Sequence, residues 1–561
     1  MVGKYSTRTL ILTTGLLLSL HVDSEAITEG TEGFGQVEDC RFLTYEQQQF
    51  FDLKLPSFRT DWISPDFIQG ALPHTPAKDA ASEISHIFNH ALLLDPEMQQ
   101  LSISNTGSRA RLDRALQKLR EGKPVGVGIS GGSITIGTGT KIFNEDGFFG
   151  RIVSWINATY PHPDHTFVNG GMGGSTSGYM AQCIERYLPS LSDMDIIFLE
   201  FDLQDPYVPL IPLDNPVRRG YEQMLRKLLS QPQAPAVVEI HFWAPNSPHV
   251  PPGSSKGVSF YHNSQAELDT LAAYYRVPAL SLRNAIYDKT FQGLPGFRPG
   301  DFMCDAIHPN FLGHRYLADL AISLMQDRLA RLVLTDPAED RFEDPEMLPP
   351  MFLGNDAGKS HCMTGSDFQG RVLQHEGWEW INEGKNGRQK WGFVTTTPGN
   401  FMEILIDTTG GPHASKVVGV GALRSYEHMG MASISCISGC KCPDSVLQGT
   451  HPTHTSVEVW HHLAVTQSSE CVIRVTSLPD TTSGEHKVKI TSMLVTDMPA
   501  SPGEIDHLNT IANIFGLQSG DINKKPEHTS STTAAEHSPG HSTRRHTRAA
   551  LASPDQQAAN G

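Results

Sequence analysis

Between residues 101 and 334, short apolar runs alternate with segments whose apolar residues recur every three or four positions. The runs Val125–Ile129, Thr166–Val168, Ile196–Phe201, Ala236–Phe242 and Ala279–Leu282 read as buried strands. The segments Arg109–Glu121, Gly147–Ile156, Gly178–Tyr187, Val217–Leu229, Ala266–Tyr275 and Leu312–Leu334 read as helices. In the first of these helices Leu112, Ala115, Leu116 and Leu119 share one face, and Gly122 supplies a stop. Repeated alternation of this kind folds as a parallel sheet covered by helices on both faces. The expected class for residues 101–334 is therefore α/β, in three layers.

The rest of the chain divides by composition. Residues 27–100 carry scattered Pro and aromatics without a clear period and read as an N-terminal extension packed on this domain. Residues 335–352 are rich in Asp, Glu and Pro, a linker composition. Beyond them, Phe401–Asp407, Val417–Leu423, Ser456–Trp460, Val472–Val475 and His486–Leu494 look like strands, several with period-two alternation, and helical patterns are scarce. Residues 353–500 are therefore expected to form a smaller all-β sandwich domain. Residues 501–561 lose apolar density and become Ser, Thr, His, Pro and Ala without period, the composition of a disordered tail.

At the other end, Lys4 and Arg8 precede an apolar stretch from Leu10 to Leu20, and Ser24-Glu25-Ala26 follows. This reads as a signal peptide over residues 1–26, cleaved near Ala26, with no integral membrane span remaining after cleavage. The expected localisation is secreted or within the secretory pathway. Eight cysteines fit disulfide formation there. The sequon Asn157-Ala158-Thr159 marks Asn157 for glycosylation. A net charge of −17 gives no long-range attraction to nucleic acid or an anionic membrane.

The chemistry gathers at the end of the first strand, Pro124 to Thr135. Three patterns overlap there. Gly126-x-Gly128-x-x-Gly131 matches a dinucleotide fingerprint, but the next strand ends in Asn169 and glycines rather than in the acid that would bind a ribose. Gly128-Ile129-Ser130-Gly131-Gly132 fits the nucleophile elbow and would make Ser130 the nucleophile. Gly131-Gly132-Ser133 places Ser133 one step further, at the start of a loop. Far along the chain, Asp305-Ala306-Ile307-His308-Pro309-Asn310 precedes the last helix. An Asp three residues before a His lets the carboxylate orient the imidazole while its other nitrogen faces a serine. Such a neutral His can take the serine proton near pH 7.

Other polar clusters read as structural. Glu200 and Asp202 would be a carboxylate pair for glycoside chemistry, but they share one strand end. Cys436-x3-Cys440-x-Cys442 lacks the spacing of a zinc pair and suits disulfides. Cys304 beside Asp305 suits packing or a disulfide. Trp378, Trp380, Trp391 and Trp460 suit core or turn packing better than a sugar-stacking platform. The tail histidines suit a solvated tail.

Taken in order, these blocks resemble the SGNH (GDSL-type) hydrolase superfamily over residues 123–334. Gly131-Gly132-Ser133-Ile134-Thr135 resembles the family's first block, Asn169 to Thr176 its second, Leu199 to Asp205 its third, and Asp305-x-x-His308-Pro309-Asn310 its last. The resemblance implies a flavodoxin-like parallel sheet and a serine esterase, with Ser133 rather than Ser130 as nucleophile, His308 as base and Asp305 as its orienting partner. The oxyanion would be held by the backbone N–H groups of Ser133 and Gly174 and by the side-chain amide of Gln204. No cofactor and no metal is implied. The substrate would be a small acyl ester, with acetylated polysaccharide ahead of a lipid ester. Two departures stand out. Gly132 replaces the family's usual Asp, and Gln204, one methylene longer, replaces its Asn. The second leaves open an alternative from another class: a weak or inactive extracellular carbohydrate-binding protein on the same fold.

Overall fold

The computed structural model describes residues 77–497, Ile505 and Asn509, apart from 206–211, 246–262, 306, 335–343, 345, 356–359, 385–388, 412 and 451–455. The expected signal peptide, the extension up to residue 76, half of the linker and nearly all of the 501–561 tail lie outside the described residues.

The first sheet contains β1 (Ile103–Asn105), β2 (Gly126–Gly131), β3 (Thr166–Asn169), β4 (Ile196–Glu200), β5 (Ala236–His241) and β6 (Ala279–Ser281), in the order β1-β6-β5-β4-β2-β3. Strands β2 to β6 pair in parallel, and the short β1 adds antiparallel to β6 at the edge. Every residue of β2, β4 and β5 is buried, which is why these strands read as unbroken apolar or small-residue runs. From β2 onward this is the flavodoxin-like order. The chain winds to β3 on one side of β2 and returns to β4 on the other. The crevice beyond the carboxyl ends of β2 and β4 is therefore the place where such sheets bind ligands.

The helices fall at Ala110–Arg120, Phe148–Thr159, Ser177–Tyr187, Pro216–Leu229, Gln265–Tyr275 and Phe311–Leu334, each within three residues of its expected bounds. The helix Phe311–Leu334 is buried on almost every side. Part of its cover comes from the N-terminal extension, which is not irregular throughout. Ala77–Ile87 is a helix, packs into the same core, and accepts a hydrogen bond from Gln326 Nε2 on its Ile87 carbonyl (3.0 Å). A further helix, Leu282–Gln292, follows β6 directly, with Ser281 accepting from the Asn284 N–H as its cap.

Beyond the linker, β7 (Ser360–Thr364), β8 (Val372–His375), β9 (Glu379–Asn382), β10 (Trp391–Thr395), β11 (Phe401–Ile406), β12 (Ser415–Arg424), β13 (Met431–Ser438), β14 (Ser445–Gln448), β15 (Val457–Thr466), β16 (Cys471–Ser477) and β17 (Val488–Thr496) form two antiparallel sheets. One runs β15-β12-β17-β10-β9 with β7 also on β17, and the other runs β14-β13-β16-β11-β8. Val418, Val420, Leu463 and Ile490 of the first and Ile404, Ile434, Ile473 and Val475 of the second fill one common core. Disulfides Cys436–Cys442 and Cys440–Cys471 tie the second sheet, and Cys304 is disulfide-bonded as well.

The two domains are joined covalently. Cys183, on the helix Ser177–Tyr187, bonds to Cys362 on β7. Tyr179 of that helix stacks on Trp460 of β15 with ring centroids 5.4 Å apart, and the Ser360 hydroxyl donates to the Gln182 carbonyl (2.9 Å). Trp460 and Trp378 are buried, Trp380 packs against the sandwich core, and only Trp391 of the four expected packing tryptophans is exposed. Among the described residues no helix is long and apolar enough to cross a membrane.

Candidate active site

Strand β2 ends at Gly131, and a single helical turn, Ser133–Ile136, begins two residues later. Ser133 is thus lifted out of the sheet's carboxyl edge. Its Oγ lies 2.8 Å from His308 Nε2. The other ring nitrogen, Nδ1, lies 2.7 Å from Asp305 Oδ2. Asp305 Oδ1 in turn accepts the backbone N–H groups of Ile307 and His308, both at 2.7 Å. Burial pushes the Asp305 carboxyl up, but the hydrogen bond and charge of His308 and these two N–H groups hold it below the ordinary carboxylate value. The loop is fixed behind them. Asn310 accepts the Leu312 N–H (2.9 Å) to start the last helix, and its side-chain amide donates to the Asp301 carbonyl (2.9 Å). Gly139, at φ +99°, lets the loop after Ser133 pass so close to the Pro309 carbonyl that a Cβ would lie 2.0 Å from that oxygen.

Ser130 sits elsewhere. It lies within β2, fully buried, and among the described residues its Oγ has no hydrogen-bond partner. The Gly126–Gly131 pattern also falls inside the strand rather than in a loop opening a helix, so it cannot cradle a pyrophosphate.

The second block folds back onto the first. Asn169 Nδ2 donates to the Thr135 carbonyl (2.9 Å), and the Met172 N–H donates to the Gly131 carbonyl (2.9 Å). A Cβ on Gly173 would stand 3.8 Å from Ser133 Cβ; Gly174 follows at φ +77°, exposed, with open space around it. The third block arrives from β4. Gln204 lies against Gly132, with its Nε2 at 1.9 Å from where a Gly132 Cβ would be. Its neighbour Asp205 is buried and accepts from both the N–H (2.9 Å) and the hydroxyl of Ser177, with Arg218 3.8 Å away. Burial raises the Asp205 carboxyl to about 6 against the pull of Arg218 and Ser177. This link fixes the Gln204 loop to the helix that starts just after Gly174.

Glu200 and Asp202 do not open to a substrate. Asp202 faces His241 Nδ1 (3.0 Å), whose Nε2 lies 3.1 Å from Asp269. Burial works against the charged imidazole, but these carboxylates keep it protonated far above its ordinary value. Glu200, fully buried, accepts the Thr135 hydroxyl (3.1 Å) beneath the helical turn that begins at Ser133. Its role as that turn's underside was invisible in the sequence, where only its strand-end position showed. Burial and the nearby Asp202 raise the Glu200 carboxyl to about 8, offset in part by Thr135 and Gly132. A carboxyl at 4.5 in the unfolded chain and about 8 in the folded one stabilises the native state fully below pH 4.5. That stability is lost as pH rises toward 8, by at most about 1.4 kcal/mol per pH unit. Glu200→Gln, neutral and of the same shape, is expected to flatten the fall. Its Tm should exceed the wild type's at pH 8.5 and approach it at pH 5, whereas parallel Tm curves would refute the assignment.

Asn157 is exposed on the last turn of Phe148–Thr159, while the Thr159 hydroxyl is buried and donates to the Trp155 carbonyl (2.8 Å).

Residues 129–316 match the model of the GDSL-like Lipase/Acylhydrolase family. No curated protein matches the chain in sequence. Among solved structures, a two-domain esterase (CEX) described as active on acetylated mannans is similar at 20% identity and a TM-score of 0.54, over 72% of this chain and 99% of that one. The same kind of esterase co-crystallised with mannopentaose is similar at 18% identity and a TM-score of 0.53, over the same shares. These likenesses carry the fold of both domains in their present order. Over residues 129–316, within its α/β domain, the chain is similar to the GDSL-like lipase/acylhydrolase family of ester-bond hydrolases, and an all-β domain follows.

Proposed function

We propose that this protein is a secreted serine esterase that removes small acyl groups, acetyl first among them, from polysaccharide. The observation that carries the proposal is the unbroken line Ser133 Oγ, His308 Nε2, His308 Nδ1, Asp305 Oδ2, with hydrogen-bond distances of 2.8 and 2.7 Å. In this reading Ser133 Oγ attacks the ester carbonyl carbon while His308 Nε2 takes its proton. Asp305 holds Nδ1–H and stabilises the imidazolium. The oxyanion is held by the N–H groups of Ser133 and Gly174 and by Gln204 Nε2. Collapse breaks the bond to the sugar oxygen, which takes the proton from His308 and leaves as the alcohol. Water, deprotonated by the same His308, then releases the carboxylate and regenerates Ser133.

Acetylated polysaccharide is the substrate class to test first, because the two-domain relative is described as active on acetylated mannans. Secretion is part of the proposal and is supported by the disulfides. So are the division into catalytic (101–334) and accessory (353–500) domains and a glycan on Asn157. The test is acetate release from acetylated glucomannan, beside labelling by a fluorophosphonate. Release together with labelling of Ser133 is expected. A protein that binds the polysaccharide but neither releases acetate nor takes the label would be the non-catalytic binding protein instead.

A further inference from the structure

We propose that Gly132 and Gln204 form one functional pair, in which the missing side chain at 132 is the slot that positions the Gln204 amide beside the nucleophile. The inference rests on the esterase reading and deepens it.

Gly132 has φ −93° and ψ −144°, outside the left-handed region that calls for glycine, so φ alone does not demand glycine there. Space does. A Cβ at 132 would lie 1.9 Å from Gln204 Nε2 and 2.4 Å from both its Cδ and Cγ. The whole end of the Gln204 side chain therefore occupies the volume that any larger residue at 132 would take. Among the described residues no hydrogen bond holds that amide. Gln204 Oε1 is buried without a hydrogen-bond partner, and among the described residues none hydrogen-bonds its Nε2. A donor beside Ser133 that packing against Gly132 places depends on the shape of its slot. The two departures from the family pattern are consequently a single change. The usual Asp at 132 and a glutamine at 204 exclude each other, and glycine admits the longer amide.

The collision partner is the flexible end of a side chain rather than backbone. Gly132→Ala should therefore leave the fold intact and swing Gln204 out of place. The experiment is a double-mutant cycle on p-nitrophenyl acetate with Gly132→Ala, Gln204→Ala and both together. Each single variant is expected to lose roughly 10²-fold in kcat with KM little changed, as for loss of one oxyanion donor. The double variant should lose no more than Gln204→Ala alone, because the alanine at 132 then has nothing left to displace. A Gly132→Ala enzyme within threefold of wild type overturns the proposal. So do losses that multiply to about 10⁴-fold, which would mean that the alanine acts by another route. A wild type that neither turns over nor takes a fluorophosphonate would sink the esterase reading but not the pair. The pair is then read from the crystal structure of Gly132→Ala, where a displaced Gln204 amide supports it and an unmoved one refutes it.

Discussion

Ser133→Ala is expected to lower kcat for p-nitrophenyl acetate by roughly 10⁶-fold, the scale at which removal of a triad nucleophile acts, while Ser130→Ala stays within about threefold of wild type. The two serines are three residues apart and both fit a nucleophile pattern. The structure gives them opposite surroundings. Ser133 Oγ reaches His308 Nε2 at 2.8 Å from the first residue of a helical turn beyond the sheet edge. Ser130 is fully buried in β2, where no ester can reach it, and among the described residues no base stands within hydrogen-bond reach of its Oγ. Deleting an unpartnered buried hydroxyl removes a desolvation cost, so Ser130→Ala should hold or raise Tm. The Ser133 hydroxyl donates to a side chain in a half-exposed site, and its loss should leave Tm nearly unchanged. Fluorophosphonate labelling checks both at once: Ser130→Ala takes the label and Ser133→Ala does not. The reverse pattern would return the nucleophile to the elbow serine and place the first block one turn too late.

What the sequence could reveal follows from which interactions are local. Strands β2, β4 and β5 are buried on both faces, so each is an unbroken run that can be read directly. The Asp305 and His308 pairing spans three residues of one loop, and its spacing alone suggests it. The helix Leu282–Gln292 was hidden because it starts at the residue after β6, with no turn residues between to announce it. The helix Ala77–Ile87 shows its apolar face only against Phe311–Leu334, more than two hundred residues away. In the sandwich, β8, β9 and β14 are four-residue edge strands with few buried positions, too short to show a period. The contact of Gly132 with Gln204 is the clearest case. Neither residue carries a local signal, and they meet only because β2 and β4 are neighbours in the sheet. Each departure from the family pattern looked like separate damage in one dimension. In three dimensions one fills the space that the other vacates.

Asp305→Asn should cost roughly 10⁴-fold in kcat, as tautomer inversion does in a serine–histidine–aspartate triad, and the geometry says why an isosteric amide is so harmful. Asp305 Oδ1 accepts two backbone N–H groups, from Ile307 and His308, each at 2.7 Å. In the variant only the amide oxygen can satisfy those two donors, so it must occupy that position. The amide nitrogen is then turned toward His308 Nδ1, where Oδ2 stood at 2.7 Å. It donates, Nδ1 must accept, and the imidazole proton moves to Nε2. An Nε2–H facing Ser133 Oγ can no longer take the serine proton. Binding is untouched, so KM should barely change and the loss should fall on kcat. Nitrogen-15 NMR of the His308 ring gives an independent reading: the protonated nitrogen should be Nδ1 in the wild type and Nε2 in Asp305→Asn. Acid should not mimic this variant in the working range, because the carboxyl, held below its ordinary value of 3.8, stays ionised at every higher pH. The stability it contributes is present above 3.8 and is lost only as pH falls through the lower, folded value. An Asp305→Asn enzyme within tenfold of wild type, with Nδ1 still protonated, would mean that the carboxylate only anchors the loop and that His308 keeps its tautomer by other means.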